Sequence, residues 1–187
     1  FPQSLTYIYF GGKFNQNIDN VQFPQSLTHI EFSGNFNQNI DNVQFPQSLT
    51  YIHFSGNFNQ NIDNVQFPQS LTYVYFGGNF NQNIDSVKWP EFLCCIEFYN
   101  NNNYGHCLNN LPKTLQCISF PNSFDTTGFS LDLYPELCII KNFNYCHLID
   151  DYENYLQRNN IKVVDHTFDM SKYQYETGLN TKCAIRQ

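Results

Sequence analysis

The sequence is poor in charged residues, and especially in positive ones. Of its 187 residues, 13% are charged and nine are Lys or Arg, which gives a formal net charge of -7. Proteins that bind the phosphate backbone of nucleic acids need clustered cations, because released counterions supply much of the binding free energy. Here the cations are scattered singly along the chain. The composition therefore argues against nucleic acid as a partner.

Long apolar runs and secretion signals are also missing. No stretch approaches the roughly 18 apolar residues of a membrane-spanning helix, and no signal peptide is visible. None of the 27 Asn stands in an Asn-x-Ser/Thr glycosylation site, and the seven Cys show no regular spacing. Secreted disulfide-rich domains usually show such a framework. We therefore expect an intracellular protein with reduced thiols and no membrane partner.

What dominates the sequence is an internal repeat of 22 residues. The unit FPQSLTYIYFGGKFNQNIDNVQ begins at Phe1 and recurs at positions 23, 45 and 67. Degenerate copies begin at Trp89 and Leu111, and a shortened one begins near Tyr134. A period of 22 lies within the leucine-rich-repeat range, and such a unit must stack on its neighbours to bury a core. The sequence predicts a mainly β, right-handed, leucine-rich-repeat-like solenoid over residues 1–143, with strong repeats in 1–88 and degenerate repeats in 89–143.

Each unit contains one short strand signal. In the first unit Ile8 and Phe10 alternate with outward residues, as in a strand that is buried on one side. Pro2 precedes this segment, and Gly11 and Gly12 follow it as a turn signal. We therefore predict one parallel sheet and no helix longer than two turns within residues 1–88. The predicted strands are residues 7–10, 29–32, 51–54, 73–76, 95–98 and 117–120.

Beyond the repeats the pattern changes. Ile149, Tyr152, Tyr155 and Leu156 lie on one face of a helix, and the following segment 161–164 has strand character. An open repeat stack needs its exposed end covered. We therefore predict a C-terminal α/β cap over residues 144–168, followed by a polar tail over 169–187.

The repeat resembles a known family. Phe14-Asn-Gln-Asn-Ile18, preceded by Pro-x-Ser-Leu-Thr-x-Ile-x-Phe-Gly, is similar to the FNIP repeat, a relative of the leucine-rich repeats. The family often has Pro where this sequence has Asn17 and its copies. Such repeats are abundant in amoebae and in their giant viruses, so the resemblance places the protein in the cytoplasm, the host cytoplasm or a virion.

Two functions are implied by this resemblance. FNIP repeats often follow an F-box, which recruits a cullin-type ubiquitin ligase, and the repeats would then select the substrate. The chain would accordingly be a protein–protein recognition scaffold and, more specifically, the substrate-selecting arm of an F-box/FNIP receptor. The alternative is a structural or assembly component, for example of a giant-virus particle, with no role in ubiquitination.

Stacking turns each repeated residue into a column. We expect the Asn15 column to be buried, Asn37 included, and to bond backbone groups of its own turn and of the next coil. We expect the Phe14 column to form an aromatic core. The Asp19 column could hold divalent cations, but we favour Asx-turn capping of N–H groups two or three residues further on. The columns are Asn15, Asn37, Asn59 and Asn81; Phe14, Phe36, Phe58 and Phe80; and Asp19, Asp41, Asp63 and Asp85.

Potential metal ligands gather in the degenerate repeats, but their spacing matches no common zinc motif. We therefore expect free structural thiols, no metal and no cofactor, although Cys95 and Cys117 occupy equivalent positions in neighbouring coils. There is also no nucleophile–base–acid pattern and no phosphate-binding glycine loop. We expect neither an enzyme nor a small-molecule-binding protein. The residues considered as ligands are Cys94, Cys95, His106, Cys107 and Cys117.

The variable positions of the repeat predict a binding face. Copies one to four differ at a few positions, among them the seventh and ninth residues, which flank the inward Ile8 and Phe10 and therefore point outward. Tyrosine is a frequent interface anchor, and the absence of Lys together with two Glu favours a partner with a neutral or basic surface. Two alternatives stay open: that these tyrosines only pack on one another, and that the variation is drift on a surface. The predicted partner-binding residues are Tyr7, Tyr9, His29, Glu31, Tyr51, His53, Tyr73, Tyr75 and Glu97.

Overall fold

The chain folds into a stack of parallel strands, one per repeat. The computed structural model describes residues 1–99 and 104–119, Leu133, and the backbone of two further strands. Eight strands are described, and each is hydrogen-bonded in parallel to the next one in sequence, in a single sheet. They are β1 (Tyr7–Phe10), β2 (His29–Phe32), β3 (Tyr51–Phe54), β4 (Tyr73–Gly77), β5 (Cys95–Tyr99), β6 (Cys117–Ser119), β7 (Ile139–Lys141) and β8 (Lys162–Val164).

The register between strands follows the 22-residue period. Ile8 pairs with Ile30, which pairs with Ile52, and Phe10 pairs with Phe32 in the same way. Since each step along the sheet is one repeat, equivalent residues form straight columns. The predicted solenoid and its strands are confirmed, and no helix occurs in residues 1–88, all of which the structure describes.

The C-terminal predictions are tested only in part by the described residues. The strand expected near 161–164 is present as β8, and it pairs with β7 of the shortened repeat. The helix expected around 149–156 and the tail from 169 lie outside the described residues, so the domain boundaries stay predictions. Within the part of the chain that the structure describes, no helix is long and apolar enough to cross a membrane.

The core consists of columns of apolar side chains. In one column Phe36, Phe58 and Phe80 are fully buried, and successive ring centroids lie 6.1 and 6.2 Å apart with nearly parallel planes. A second column packs against it, with the rings of Phe54 and Phe58 4.5 Å apart. These offset contacts add to the burial of apolar area. The predicted aromatic core is confirmed.

Glycine closes the turn after each of the strands β1 to β4. The glycines of these turns all have φ near +60°, a region in which residues with a side chain are strained. They are Gly12, Gly34, Gly56 and Gly78. The turns stack directly, because the Asn57 N–H donates to the Gly34 carbonyl at 2.9 Å. The close approach of successive backbones leaves no space for a side chain at Gly56.

The asparagine column joins the coils by side-chain hydrogen bonds. Oδ1 of Asn37 accepts bonds from the Asn59 N–H and from Nε2 of Gln60, both at 2.9 Å. The Asn37 N–H in turn donates to Oδ1 of Asn15 in the preceding coil. The predicted bonding to the next coil is confirmed. The predicted burial was wrong, because Asn37 is half-buried at the edge of the stack.

Replacing Asn37 with alanine is expected to lower the free energy of unfolding by about 1–3 kcal/mol. The substitution leaves the N–H of Asn59 without its acceptor in a part of the turn that the sheet does not reach. Denaturant unfolding followed by circular dichroism measures the loss. Asn42→Ala, an exposed position in the same coil, is the control and should change the midpoint little. Equal effects of the two substitutions would contradict the assignment.

The aspartate column does not cap the turn in the way that we expected. The backbone N–H of Asp41 donates to Oδ1 of Asn39 at 2.7 Å, so the preceding asparagine forms the Asx-turn. Nδ2 of Asn39 also donates to Oδ2 of Asp41 at 3.1 Å. The Val43 N–H, which the aspartate was expected to cap, donates instead to the Ile40 carbonyl. The asparagine found where the family often has proline thus shapes this turn.

Candidate functional site

The outer face of the sheet collects the side chains of the seventh and ninth repeat positions. Because side chains alternate along a strand, Ile8 and Phe10 point into the core while Tyr7 and Tyr9 point away from it. The parallel register then places Tyr7 beside His29 and Tyr9 beside Glu31. The same pairing continues through β3 and β4. We call the resulting surface the outer tyrosine face; it consists of Tyr7, Tyr9, His29, Glu31, Tyr51, His53, Tyr73 and Tyr75.

Exposure on this side of the sheet falls from β1 towards β6. Tyr7 and Tyr9 are 49% and 53% exposed, whereas Tyr51, Tyr73 and Tyr75 are half-buried. Glu97 is 8% exposed and its neighbour Cys95 is fully buried. We expected Glu97 in the accessible surface, but the outer side of β5 and β6 is covered, so the outer tyrosine face ends at β4.

Aromatic stacking orders the middle of the outer tyrosine face. The rings of Tyr51 and Tyr73 stack with centroids 4.8 Å apart, and the ring of His29 lies 5.4 Å from that of Tyr51. The rings of His53 and Tyr75 meet edge-on at 4.0 Å. The alternative that these tyrosines pack on one another therefore describes β3 and β4 well. This alternative describes β1 less well, because about half of each tyrosine side chain there remains accessible.

Glu31 is the polar centre of the outer tyrosine face. Its Oε2 accepts a hydrogen bond from the Tyr7 hydroxyl at 2.8 Å, and its Oε1 lies 3.5 Å from Nδ1 of His53. Burial lowers the pKa of His53 below its usual value near 6.5, with the Glu31 carboxylate acting in the opposite direction; burial also lowers the pKa of His29. Both imidazoles are therefore neutral at pH 7. With neutral imidazoles, the carboxylate of Glu31 makes the face acidic.

A second cluster of reactive side chains lies next to the outer tyrosine face, on β5 and β6. Cys95 and Cys117 are directly opposite each other in the register, and Sγ of Cys95 lies 3.9 Å from Oε1 of Glu97. The donor atoms of all three lie within 4.8 Å of one another, and all three residues are buried. Burial, followed by the contact with Cys117, raises the pKa of the Cys95 thiol.

The other cysteines and histidine that we considered together do not join this cluster. Cys107 is exposed, Sγ of Cys94 lies 3.3 Å from the Thr72 carbonyl oxygen, and the His106 ring contacts the Asn81 carbonyl oxygen. All four cysteines in the described part of the chain are free, as expected. Sequence reasoning missed Glu97 as the third member. The pattern that could have indicated this cluster is the spacing of one repeat, 22 residues, between the two thiols, with the carboxylate two residues beyond the first.

Comparisons with known proteins agree with the repeat architecture. The family model described as FNIP Repeat matches residues 1–35 and 36–79. A solved structure described as CroV588, a novel circular LRR protein, is 42% identical with a TM-score of 0.67. That match covers 77% of this chain and 22% of the other, so the chain spans about a fifth of the length of that protein. No curated protein matches the sequence.

Proposed function

We propose that this chain, which is an FNIP-repeat protein with a leucine-rich-repeat-like solenoid, binds a protein partner through the outer tyrosine face. The observation that carries the proposal is the continuous row of outward aromatic and polar side chains that the parallel register builds across β1 to β4. Large apolar groups held outward by a regular sheet lose little conformational freedom when they are covered. A repeat scaffold of this kind is suited to protein–protein interaction.

The chemistry of the face restricts the partner. Tyrosine offers a large contact area, few rotatable bonds and a hydroxyl group, which together suit an interface anchor. The carboxylate of Glu31 and the neutral imidazoles beside it favour a partner surface that is neutral or basic. Lys and Arg are absent from the outer tyrosine face, so an acidic partner would find no complementary charge. We propose a binding role and not a catalytic one.

Replacing Tyr7 and Tyr9 together with serine is expected to abolish partner capture while leaving the fold intact. Both side chains are about half exposed, so their removal costs the core little. The parent and the variant are immobilised at equal density and exposed to lysate of the native cell, and the bound proteins are compared by mass spectrometry. A protein bound by the parent and lost from the variant supports the proposal.

Phe92→Ser is the matched control for this experiment. Phe92 is 61% exposed and lies in the turn before β5, outside the outer tyrosine face, at the repeat position where copies one to four carry serine. The control therefore removes an exposed aromatic ring without touching the proposed site, and it should retain the partner. Tyr51 and Tyr73 are poorer probes because they stack on each other. Unchanged capture by a folded Tyr7/Tyr9 variant would refute the proposed face.

The finer proposal, that the partner is a ubiquitination substrate, is supported by the FNIP resemblance alone. Its test is affinity purification of the native protein, where recovery of a cullin-type ligase together with a modified partner would support it. The alternative is an assembly role, in which copies of the repeat protein pack laterally in a particle. Sedimentation of the purified chain, and its abundance in purified particles, distinguishes that role from substrate selection.

A further inference from the structure

We infer that Cys95, Cys117 and Glu97 form a zinc-binding site. This site lies on the outer side of β5 and β6, beyond the accessible part of the sheet, and is separate from the outer tyrosine face. It reverses the expectation of no metal that the residue spacing suggested. The inference rests on three observations: the donor atoms converge, the cluster is buried, and the donor types suit one metal.

The donor atoms converge because the register of the sheet brings them together. Cys95 and Cys117 pair across β5 and β6, and Glu97 lies on the same side of β5 as Cys95, two residues further on. Their sulfur and oxygen atoms all lie within 4.8 Å of one another, with Sγ of Cys95 at 3.9 Å from Oε1 of Glu97. In a tetrahedral zinc site the ligand atoms are roughly 3.5–3.8 Å apart, given Zn–S distances near 2.3 Å and Zn–O distances near 2.0 Å. Small side-chain rotations are therefore sufficient.

The burial of the three residues distinguishes them from an ordinary surface group. Cys95 is fully buried, and Cys117 and Glu97 are 2% and 8% exposed. Structural zinc sites are closed in this way, with their ligand atoms enclosed by protein. A divalent cation between the three groups would be bound by the carboxylate and both thiolates at once.

The donor types select zinc among the common divalent ions. Thiolates are soft ligands that calcium and magnesium avoid, whereas two sulfurs with one carboxylate oxygen suit Zn²⁺. Zinc prefers four ligands, so a water molecule or one further donor completes the tetrahedron. Binding displaces the protons of the two thiols to solvent, and the metal gains two thiolate bonds without any redox change.

The residues at the outward positions of the repeat change at β5 and β6, and the change fits a metal site. At the seventh repeat position the column runs Tyr7, His29, Tyr51, Tyr73, and then turns to cysteine in two successive coils. At the ninth position, serine at 119 follows Glu97. Large rings are thus replaced by small ligating side chains where the outer side of the sheet becomes buried. The substitutions thus supply the donors where the sheet is covered.

Adding zinc to reduced, chelator-treated protein is expected to raise its melting temperature, because the ion binds only the folded register. Cobalt replaces zinc as the spectroscopic probe. One cobalt ion per chain should give thiolate-to-metal charge-transfer absorption in the near ultraviolet and intense tetrahedral bands in the visible. Cys95→Ser and Cys117→Ser should each lose the charge-transfer absorption of this site. Glu97→Gln should keep both thiolates but weaken zinc binding by more than about 10-fold.

Cys94→Ser is the matched control. It is adjacent to Cys95, but its Sγ contacts the Thr72 carbonyl oxygen, a contact that a serine hydroxyl group can keep. Its cobalt spectrum should match that of the parent. Charge-transfer bands that persist in Cys95→Ser and in Cys117→Ser would place the metal at other cysteines and overturn the inference. A melting temperature that zinc does not change, or a disulfide joining Cys95 to Cys117 in the native protein, would also overturn it.

A measurement on the parent protein keeps the test decisive if a variant does not fold. X-ray absorption at the zinc edge of the zinc-loaded chain should show two sulfur ligands together with oxygen or nitrogen ligands. Four sulfurs would assign the ion to other cysteines, and the absence of sulfur would exclude these thiols. This readout is independent of partner capture, so its failure would leave the proposed function of the outer tyrosine face untouched.

Discussion

Replacing Phe58 with alanine is expected to destabilise the protein by about 3–5 kcal/mol. The side chain is fully buried at the centre of the repeat stack. Its ring lies 6.1 Å from Phe36, 6.2 Å from Phe80 and 4.5 Å from Phe54, measured between ring centroids. Truncation leaves a cavity between three coils, and rings on both sides are too firmly stacked to fill it. Denaturant unfolding monitored by circular dichroism measures the decrease in the free energy of unfolding.

Phe14→Ala is the control, because it is the same substitution in the same column at the first coil. Phe14 is half-buried and has a neighbouring coil on one side, where its ring lies 5.9 Å from that of Phe36. We expect a clearly smaller loss there. If Phe58→Ala and Phe14→Ala shift the unfolding midpoint equally, the stability of the solenoid does not depend on stacking between inner coils.

The architecture was predictable because the information for it is local and repeated. Alternation at Ile8 and Phe10 identifies a strand, and the 22-residue period identifies its neighbours. Since a parallel register of one repeat per strand follows directly, the columns of Phe36 and Asn37 could be placed before any coordinates. The hydrogen-bond pattern of the polar turns could not be predicted in the same way. Whether Asn39 or Asp41 caps a turn depends on backbone angles that two similar side chains do not reveal.

The sequence predicts which way the side chains of the site point, but it does not predict how accessible they are to solvent. Alternation correctly directs Tyr9 and Glu97 away from the core, yet Tyr9 is half exposed and Glu97 is buried. Burial of an outward side chain depends on contacts with distant parts of the chain, and the pattern of a single strand carries no information about them. The equivalent positions of Cys95 and Cys117 were recognised, but Glu97 was missed as a third donor and no metal was expected. The ligands of this cluster are spaced by the repeat, whereas common zinc motifs are spaced by a short turn.

Replacing Gly56 with alanine is expected to lower the free energy of unfolding by about 2–5 kcal/mol, through two separate effects. The first is conformational, because Gly56 has φ +60°, where an L-residue is strained. The second is steric, because an added Cβ would lie 2.5 Å from the backbone N and O atoms of Gly34 in the preceding coil. Neither of those atoms belongs to a flexible side chain. The two coils must therefore separate, which weakens the hydrogen bond from the Asn57 N–H to Gly34.

Gly12→Ala separates the two effects. Gly12 has φ +61°, nearly the same as Gly56, but an added Cβ there meets nothing within 4 Å. The Gly12→Ala variant should show only the conformational effect, a decrease of about 1–2 kcal/mol in the free energy of unfolding. The difference between the two variants, measured by denaturant unfolding under identical conditions, isolates the cost of separating the coils. Equal losses would mean that the backbones of adjacent turns are not in contact, and the close stacking of the glycine turns would have to be abandoned.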